Sequence, residues 1–282
     1  MSKSGTEIGN LLLGKQGFQR EAIILEEIRN NNVPNWLVDF VPVSITENIN
    51  GIPRELTIYV SRDVVSLGND TDFLRIPTLP ITSQVIADRY HSILPSRKLS
   101  NDIYNSATAK LAPKPLSNSR ESTKSFIDSN NLINNQLSPE LVKSALVAGD
   151  KKDIVIGPNL DGSKVAIYGW HQTDGKPIQP YSTIHDSSYS DYSHGTRLIS
   201  KFAYLDRTIP VDLTTIFIDD NLHKLVSDQG PFIPRFPNKF PLSPKEIEKF
   251  EEGSKEPSGK PFSTAQLLVG GIAIGMFLHI IR

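Results

Sequence analysis

Residues 165–200 read V-A-I-Y-G-W-H-Q-T-D-G-K-P-I-Q-P-Y-S-T-I-H-D-S-S-Y-S-D-Y-S-H-G-T-R-L-I-S. Apolar residues open the run at Val165, Ala166 and Ile167 and close it at Leu198 and Ile199, so strand pairing at both ends can hold a polar middle rigidly, as loops that carry chemistry are held. Three of the six histidines, His171, His185 and His194, lie inside it with Asp186, Asp191, four tyrosines and Arg197. The β-branched and aromatic content predicts a β-rich region from 164 to about 205.

Upstream, the pattern changes to helix. Residues 18–30 place Ala22, Leu25 and Ile28 on one stripe, and 82–90 and 97–111 follow as helical candidates, the second with Leu99, Ile103, Ala107 and Leu111 on one face. Residues 56–67 read as one strand or a tight pair, 138–147 as a short helix opened by Ser138-Pro139, and 154–156 as a short strand. The serine-rich segment 117–129 is expected to be partly surface loop, the asparagines of 130–135 to be compositional, and 212–226 to return to helix. The class is therefore α+β: a helical N-terminal half and a β-rich C-terminal half in one globular head, residues 18–230, behind a flexible N-terminus, residues 1–17.

The chain's 282 residues, 38% of them hydrophobic, suffice for a full core. Thirty basic residues against 31 acidic ones give a formal net charge of −1, so no nucleic-acid partner is expected. With zero cysteines there is no disulfide, thiolate metal site or cysteine nucleophile, and the redox compartment stays open.

No secretory signal is read at the N-terminus. Residues 262–282 contain an apolar run long enough to cross a bilayer, with Arg282 placed to reach an interface, and predict a C-terminal transmembrane tail anchor. Gly271 and Gly275 form a G-x-x-x-G pair suited to helix–helix self-association in the lipid bilayer. Residues 231–261, rich in proline and charge, read as the linker between head and anchor.

For chemistry, His171, His185, Asp191 and His194 form the candidate catalytic group, with Tyr192 and Arg197 assisting. One histidine would act as general base and an aspartate, Asp191 or Asp186, would fix its tautomer. The alternative is metal: the three imidazoles, His171, His185 and His194, offer zinc ligands with an aspartate completing the set, although the spacing matches no compact zinc signature. Trp170 and Tyr189 are candidate substrate-binding faces for a sugar ring or a peptide, and Arg97 and Lys98 candidate contacts to a carboxylate or phosphate.

The segments L-P-S-R-K-L (94–99), K-K-D (151–153), V-A-I-Y-G-W-H (165–171), G-K-P-I-Q-P (175–180) and D-Y-S-H-G-T-R-L (191–198) resemble a family of uncharacterised, mostly secreted bacterial proteins over about residues 20–230. That resemblance implies one shared domain and an envelope or extracellular setting, with no established activity attached. A fainter one is to the L,D-transpeptidases of peptidoglycan. Their active site has a histidine after a strand and, about twenty residues on, a serine-histidine-glycine-cysteine segment. Here Trp170-His171 and Ser193-His194-Gly195-Thr196-Arg197 are similar, with Thr196 in the cysteine's place, which removes the acyl-thiol route.

The functional expectation is a membrane-anchored hydrolase of the cell envelope, acting on peptidoglycan or a related glycan or peptide. It would sit in an envelope or, virion-associated, on the internal membrane of a phage. The alternatives are a non-enzymatic membrane-anchored structural protein of a virion or envelope and a catalytically inactive wall-binding module.

Overall fold

The computed structural model describes residues 3–237. The linker residues 238–261 and the anchor expected at 262–282, with Gly271 and Gly275, lie outside the described residues. Among the described residues no helix is long and apolar enough to cross a membrane.

The N-terminus is not the flexible leader expected for 1–17. Helix α1 (Gly5–Leu12) starts with a capping box in which Ser4 Oγ accepts from the Glu7 N–H and the Glu7 carboxylate accepts from the Ser4 N–H. Ile8 and Leu12, one turn apart, are fully buried. Gly5 permits the docking, because a Cβ there would lie 2.5 Å from the Phe73 backbone. Helix α2 (Gly17–Arg29) follows where the apolar stripe placed it.

A hairpin of two nine-residue strands then makes the N-terminal half less helical than expected, since only the strand at 56–67 was foreseen there. Strands β1 (Val41–Ile49) and β2 (Ile52–Val60) pair antiparallel from Val41↔Val60 to Ile49↔Ile52. Asn50 and Gly51, with φ of 54° and 86°, form the two-residue turn whose twist suits a hairpin. Val43 and Ile45 point inward while Ser44 and Thr46 point out, the period-two pattern of a half-buried strand. The strand expected over 56–67 ends at Val60, and β3 (Ser66–Gly68) pairs instead with β4 (Phe73–Arg75).

Helix α3 (Pro80–Arg89), β5 (Ser92–Ile93) and α4 (Arg97–Ser106) come next. Helix α4 ends five residues earlier than its stripe suggests, because the N–H groups of Thr108 and Ala109 turn to the Leu146 carbonyl and start β6 (Ala109–Lys110). The serine-rich segment stays loop over 117–122, as expected in part, and from Thr123 it joins the asparagine patch in helix α5 (Thr123–Asn134), capped by Ser122. Then come α6 (Pro139–Ser144), β7 (Val147–Ala148), β8 (Lys152–Ile154), β9 (Ile167–His171), β10 (Pro177–Ser182), β11 (His194–Gly195), β12 (Ile199–Ser200), β13 (Phe202–Leu205) and β14 (Ile209–Asp212). The helix expected at 212–226 divides into α7 (Leu213–Ile218) and a 3-10 turn, Leu222–Leu225.

Besides the two-stranded pairs β3-β4 and β6-β7, two larger sheets organise these strands. The larger has the order β14-β13-β2-β12-β5 with β1 on β2, and the smaller has the order β10-β9-β8-β11. One core lies under the hairpin, where Ile58 and Val60 meet Ile103 of α4 and Phe217 of α7. The other gathers α1, α2, α3 and α5 over the smaller sheet, where Ile8, Ile24, Ile86 and Phe126 share a cluster with Ile154, Ile167 and Trp170. The head also runs past residue 230: Phe236 is buried, its N–H donates to Gln84, and Arg235 pairs with Asp88 on α3 at 2.7 Å.

Behind the smaller sheet the core holds charge. Arg75, without solvent exposure, pairs with Asp63 at 2.7 Å and donates to Asn130 and Asn134 of the former asparagine patch. Lys151, also buried, donates to Ser129 Oγ and to the Tyr192 carbonyl. Burial and the neighbouring Asp63 push the Asp150 carboxyl up to about 6, and burial pushes the Lys151 amine down to about 8.

Candidate functional site

The polar run of residues 165–200 is distributed over two faces of the smaller sheet. Strand β8 sits between β9 and β11 with Lys152 opposite both Gly169 and His194, and Asp153 opposite Tyr168. Neighbouring residues of a strand face opposite ways, so Lys152 and Asp153 mark the two faces. Strict alternation along β9 would put His171 with Lys152. It does not, because Gly169 (φ 98°) and Trp170 (φ 51°) are consecutive left-handed residues that break the period. His171 therefore shares a face with Tyr168, and Trp170 returns to the core side.

The first face is closed by α4. The His171 ring stacks on Tyr104 with centroids 4.3 Å apart, and its Nε2 lies 2.8 Å from Asn101 Oδ1. The Tyr168 hydroxyl donates to the same oxygen at 3.0 Å. Asp153 accepts from Ser100, and the Tyr104 hydroxyl donates to the Gln172 carbonyl. Burial pushes the His171 imidazole down to about 4, so it is neutral near pH 7. His171 thus serves as a hydrogen-bonded strut between strand and helix.

The second face carries His194, Asp191, Tyr189, His185, Lys152 and Trp170. His194 Nε2 lies 4.0 Å from Asp191 Oδ1, and both side chains are buried. The Asp191 carboxylate accepts from the Ser193 N–H at 2.8 Å, from the Ser193 hydroxyl and from the Tyr189 hydroxyl at 2.9 Å, and forms an ion pair with Arg120 at 3.1 Å. Burial alone would raise its pKa, but His194, the Ser193 donors and Lys152 outweigh that and hold it down at about 2. Burial pushes His194 down to about 4 against the opposing pull of Asp191. Neither ring nitrogen of His194 has a hydrogen-bond partner among the described residues, nor does the buried Nε1 of Trp170. Tyr189 covers His194 edge-on at 5.6 Å and stacks on the exposed His185 ring at 4.1 Å.

Several candidates are held by bonds of their own within the chain. Arg197 is buried and clamps the carbonyls of Ser61 and Val147, tying the end of β2 to β7. The Tyr192 hydroxyl accepts from the Leu116 N–H at 2.6 Å. Arg97 pairs with Asp228 at 2.7 Å, and Lys98 pairs with Glu47 and Asp102, so both expected ligand contacts are committed to carboxylates near the α4 face. Asp186 pairs with Lys164 in the outer loop. Thr196 closes a buried ring of hydroxyls with Thr78 and Ser83.

The zinc set is not assembled. His171 belongs to the other face, the Tyr189 ring contacts both His185 and His194, and among the described residues no three histidine, aspartate or glutamate side chains are grouped to hold a metal ion. Lys152 and Arg120 join the second face without having been picked out by the sequence. Lys152 stands in the K-K-D triplet, which entered only as a segment of the family resemblance, and Arg120 in a serine-rich segment.

Compared with family models, curated proteins and solved structures, the chain finds no match.

Proposed function

We propose that this chain is a hydrolase of a cell-envelope polymer, peptidoglycan or a related glycan or peptide, with Asp191 and His194 as its proton-handling pair. The anchor expected at 262–282 would hold it to an envelope membrane or a virion's internal membrane. The observation that carries the reading is the His194 imidazole: neutral near pH 7, with neither nitrogen partnered among the described residues, beside a carboxylate held by three hydrogen-bond donors and the Arg120 ion pair.

In this mechanism His194 takes a proton from water as it attacks the substrate and returns it to the leaving group, while ionised Asp191 stabilises the transient imidazolium. Ser193, Tyr189 and Arg120 position Asp191. The His185 and Tyr189 rings offer flat faces to a sugar or peptide, and Tyr189 must lift with its loop for the substrate to reach His194. Tyr192 and Arg197 act as positioning residues through the backbone they hold.

The test is incubation of the full-length chain, in detergent, with purified cell-wall sacculi and neutral glycans, with released fragments identified by mass spectrometry beside a His194→Gln variant. Release that disappears in the variant while its melting temperature holds supports the enzyme. A second reading, a non-enzymatic wall-binding or structural module, is favoured by the 0% exposure of the His194 side chain. Binding to sacculi with no fragment released by the wild-type chain would select it.

A further inference from the structure

Five lysine or arginine residues are buried among the described residues: Arg20, Arg75, Lys151, Lys152 and Arg197. Four have acceptors. Arg20 donates to the Glu121 carbonyl, Arg75 to Asp63, Lys151 to Ser129 and Tyr192, and Arg197 to the carbonyls of Ser61 and Val147. Lys152, 6% exposed, has none; its ammonium lies 5.4 Å from the centroid of the Trp170 ring, a cation over an aromatic face. Its stem is buried but its amine is not among the nitrogens sealed from water, and it lies beside His194 in the strand register.

We propose that Lys152, with Arg120 at the solvent side, receives a carboxylate of the substrate and places the neighbouring bond against His194. The inference rests on reading this face as the substrate site, but not on hydrolysis occurring there. Burial lowers the Lys152 pKa, Asp191 opposes that shift and Arg120 adds to it, so an arriving anion would relieve both the desolvation and the repulsion between the two cations. A monoanion fits better than a dianionic phosphate, because ionised Asp191 already occupies one side of Arg120 at 3.1 Å and would repel the second charge. Trp170 supplies the apolar floor, held in place by the left-handed Gly169-Trp170 step. Arg120, its side chain 44% exposed, is placed to meet the ligand first.

A carboxylate can come from a peptide terminus or from a uronic sugar, and the experiment separates them. Binding of the full-length chain is measured by calorimetry at neutral pH to N-acetyl-trialanine as free acid and as C-terminal amide, and to a glucuronic-acid disaccharide and its methyl ester. The expected result is a preference on the order of tenfold for the acid over its neutral partner in one of the two pairs, which also names the source. Lys152→Met, which keeps the apolar stem, should erase that preference, and so should the charge reversal Arg120→Glu at the exposed position, which serves if the Met variant melts early. Equal binding of acid and neutral probe, a preference that survives both substitutions, or no binding of any probe overturns the proposal. Acid-selective binding without fragment release from sacculi defeats only the hydrolase reading, and fragment release without acid selectivity defeats only this one.

Discussion

The two faces of the smaller sheet carry similar residues and treat them in opposite ways. On the α4 face, His171, Tyr168 and Asp153 each find a partner in Asn101 or Ser100. On the other face His194 and Trp170 are as deeply buried, yet the ring nitrogens of both meet no partner among the described residues, and the Lys152 amine, which is not sealed from water, lies over the Trp170 ring without an acceptor there. Buried polar groups are ordinarily satisfied, so the completed face looks like framework and the incomplete one like a place where something else supplies the partners. A histidine count cannot distinguish them; hydrogen-bond satisfaction can.

The strongest way to break this contrast is to make one substitution on both faces. His194→Gln should cut fragment release by about 10²-fold or more, the range of a lost general base, with little change in melting temperature. His171→Gln should leave turnover nearly intact and lower the melting temperature. Equal losses of turnover from both would erase the functional distinction.

Next in size is Asn101→Leu, which strips the shared acceptor from His171 and Tyr168. It should cost about 2–3 kcal/mol in denaturant unfolding, while binding at the second face persists. A cost near zero would mean that the α4 face is not held by these bonds. Gly169→Ala should cost about 1–2 kcal/mol, because the residue has φ of 98° and the new methyl would lie 3.2 Å from both His171 Cε1 and Ser100 Oγ. A stabilised variant would show that the left-handed step is not needed.

The smallest effect lies just below neutrality. His171 and His194 have folded pKa values near 4, depressed from 6.5, so the stability they contribute is present above about 6.5 and is lost as pH falls towards 4. Asp150, raised to about 6, works in the opposite sense: its contribution is present below about 4 and lost as pH rises through 6. Melting temperatures should therefore fall as pH drops from 7 through about 6.5, with Asp150 offsetting part of the loss below about 6, and either histidine-to-glutamine variant should flatten the slope. A wild-type curve that rises on acidification would mean that Asp150 dominates.

Much of this could be read in the chain, and the failures have physical causes. Helices α2 and α4 announced themselves by apolar stripes, and the α+β class followed from them and from the β-branched run. Strand β1 was missed although Val43, Ser44 and Ile45 alternate and Asn50-Gly51 is a hairpin signal. Helix α1 was missed because a stripe that includes Gly5 and Gly9 has little apolar weight until a strand packs onto it. The histidine-rich run was read as one polar segment between two strands, but β10 and β11 lie inside it and its closing strand β12 joins the larger sheet. Its division between two faces was not legible, because two left-handed residues in β9 cancel the alternation from which facing is inferred. Lys152 and Arg75 were passed over for a related reason: a charge in sequence looks solvated until the partners that bury it, Asn130 and Asn134 for Arg75, are brought from elsewhere.

The ring formed by Thr78, Ser83 and Thr196 has a consequence for observation. Its hydroxyl oxygens lie 2.7, 2.9 and 2.8 Å apart in a solvent-free pocket beside β11. Protons so sheltered exchange slowly with water, and slow hydroxyl protons give sharp nuclear-magnetic-resonance lines where exposed ones are averaged away. Those resonances would report from inside the molecule whether the strand carrying His194 stays seated while ligands come and go above it.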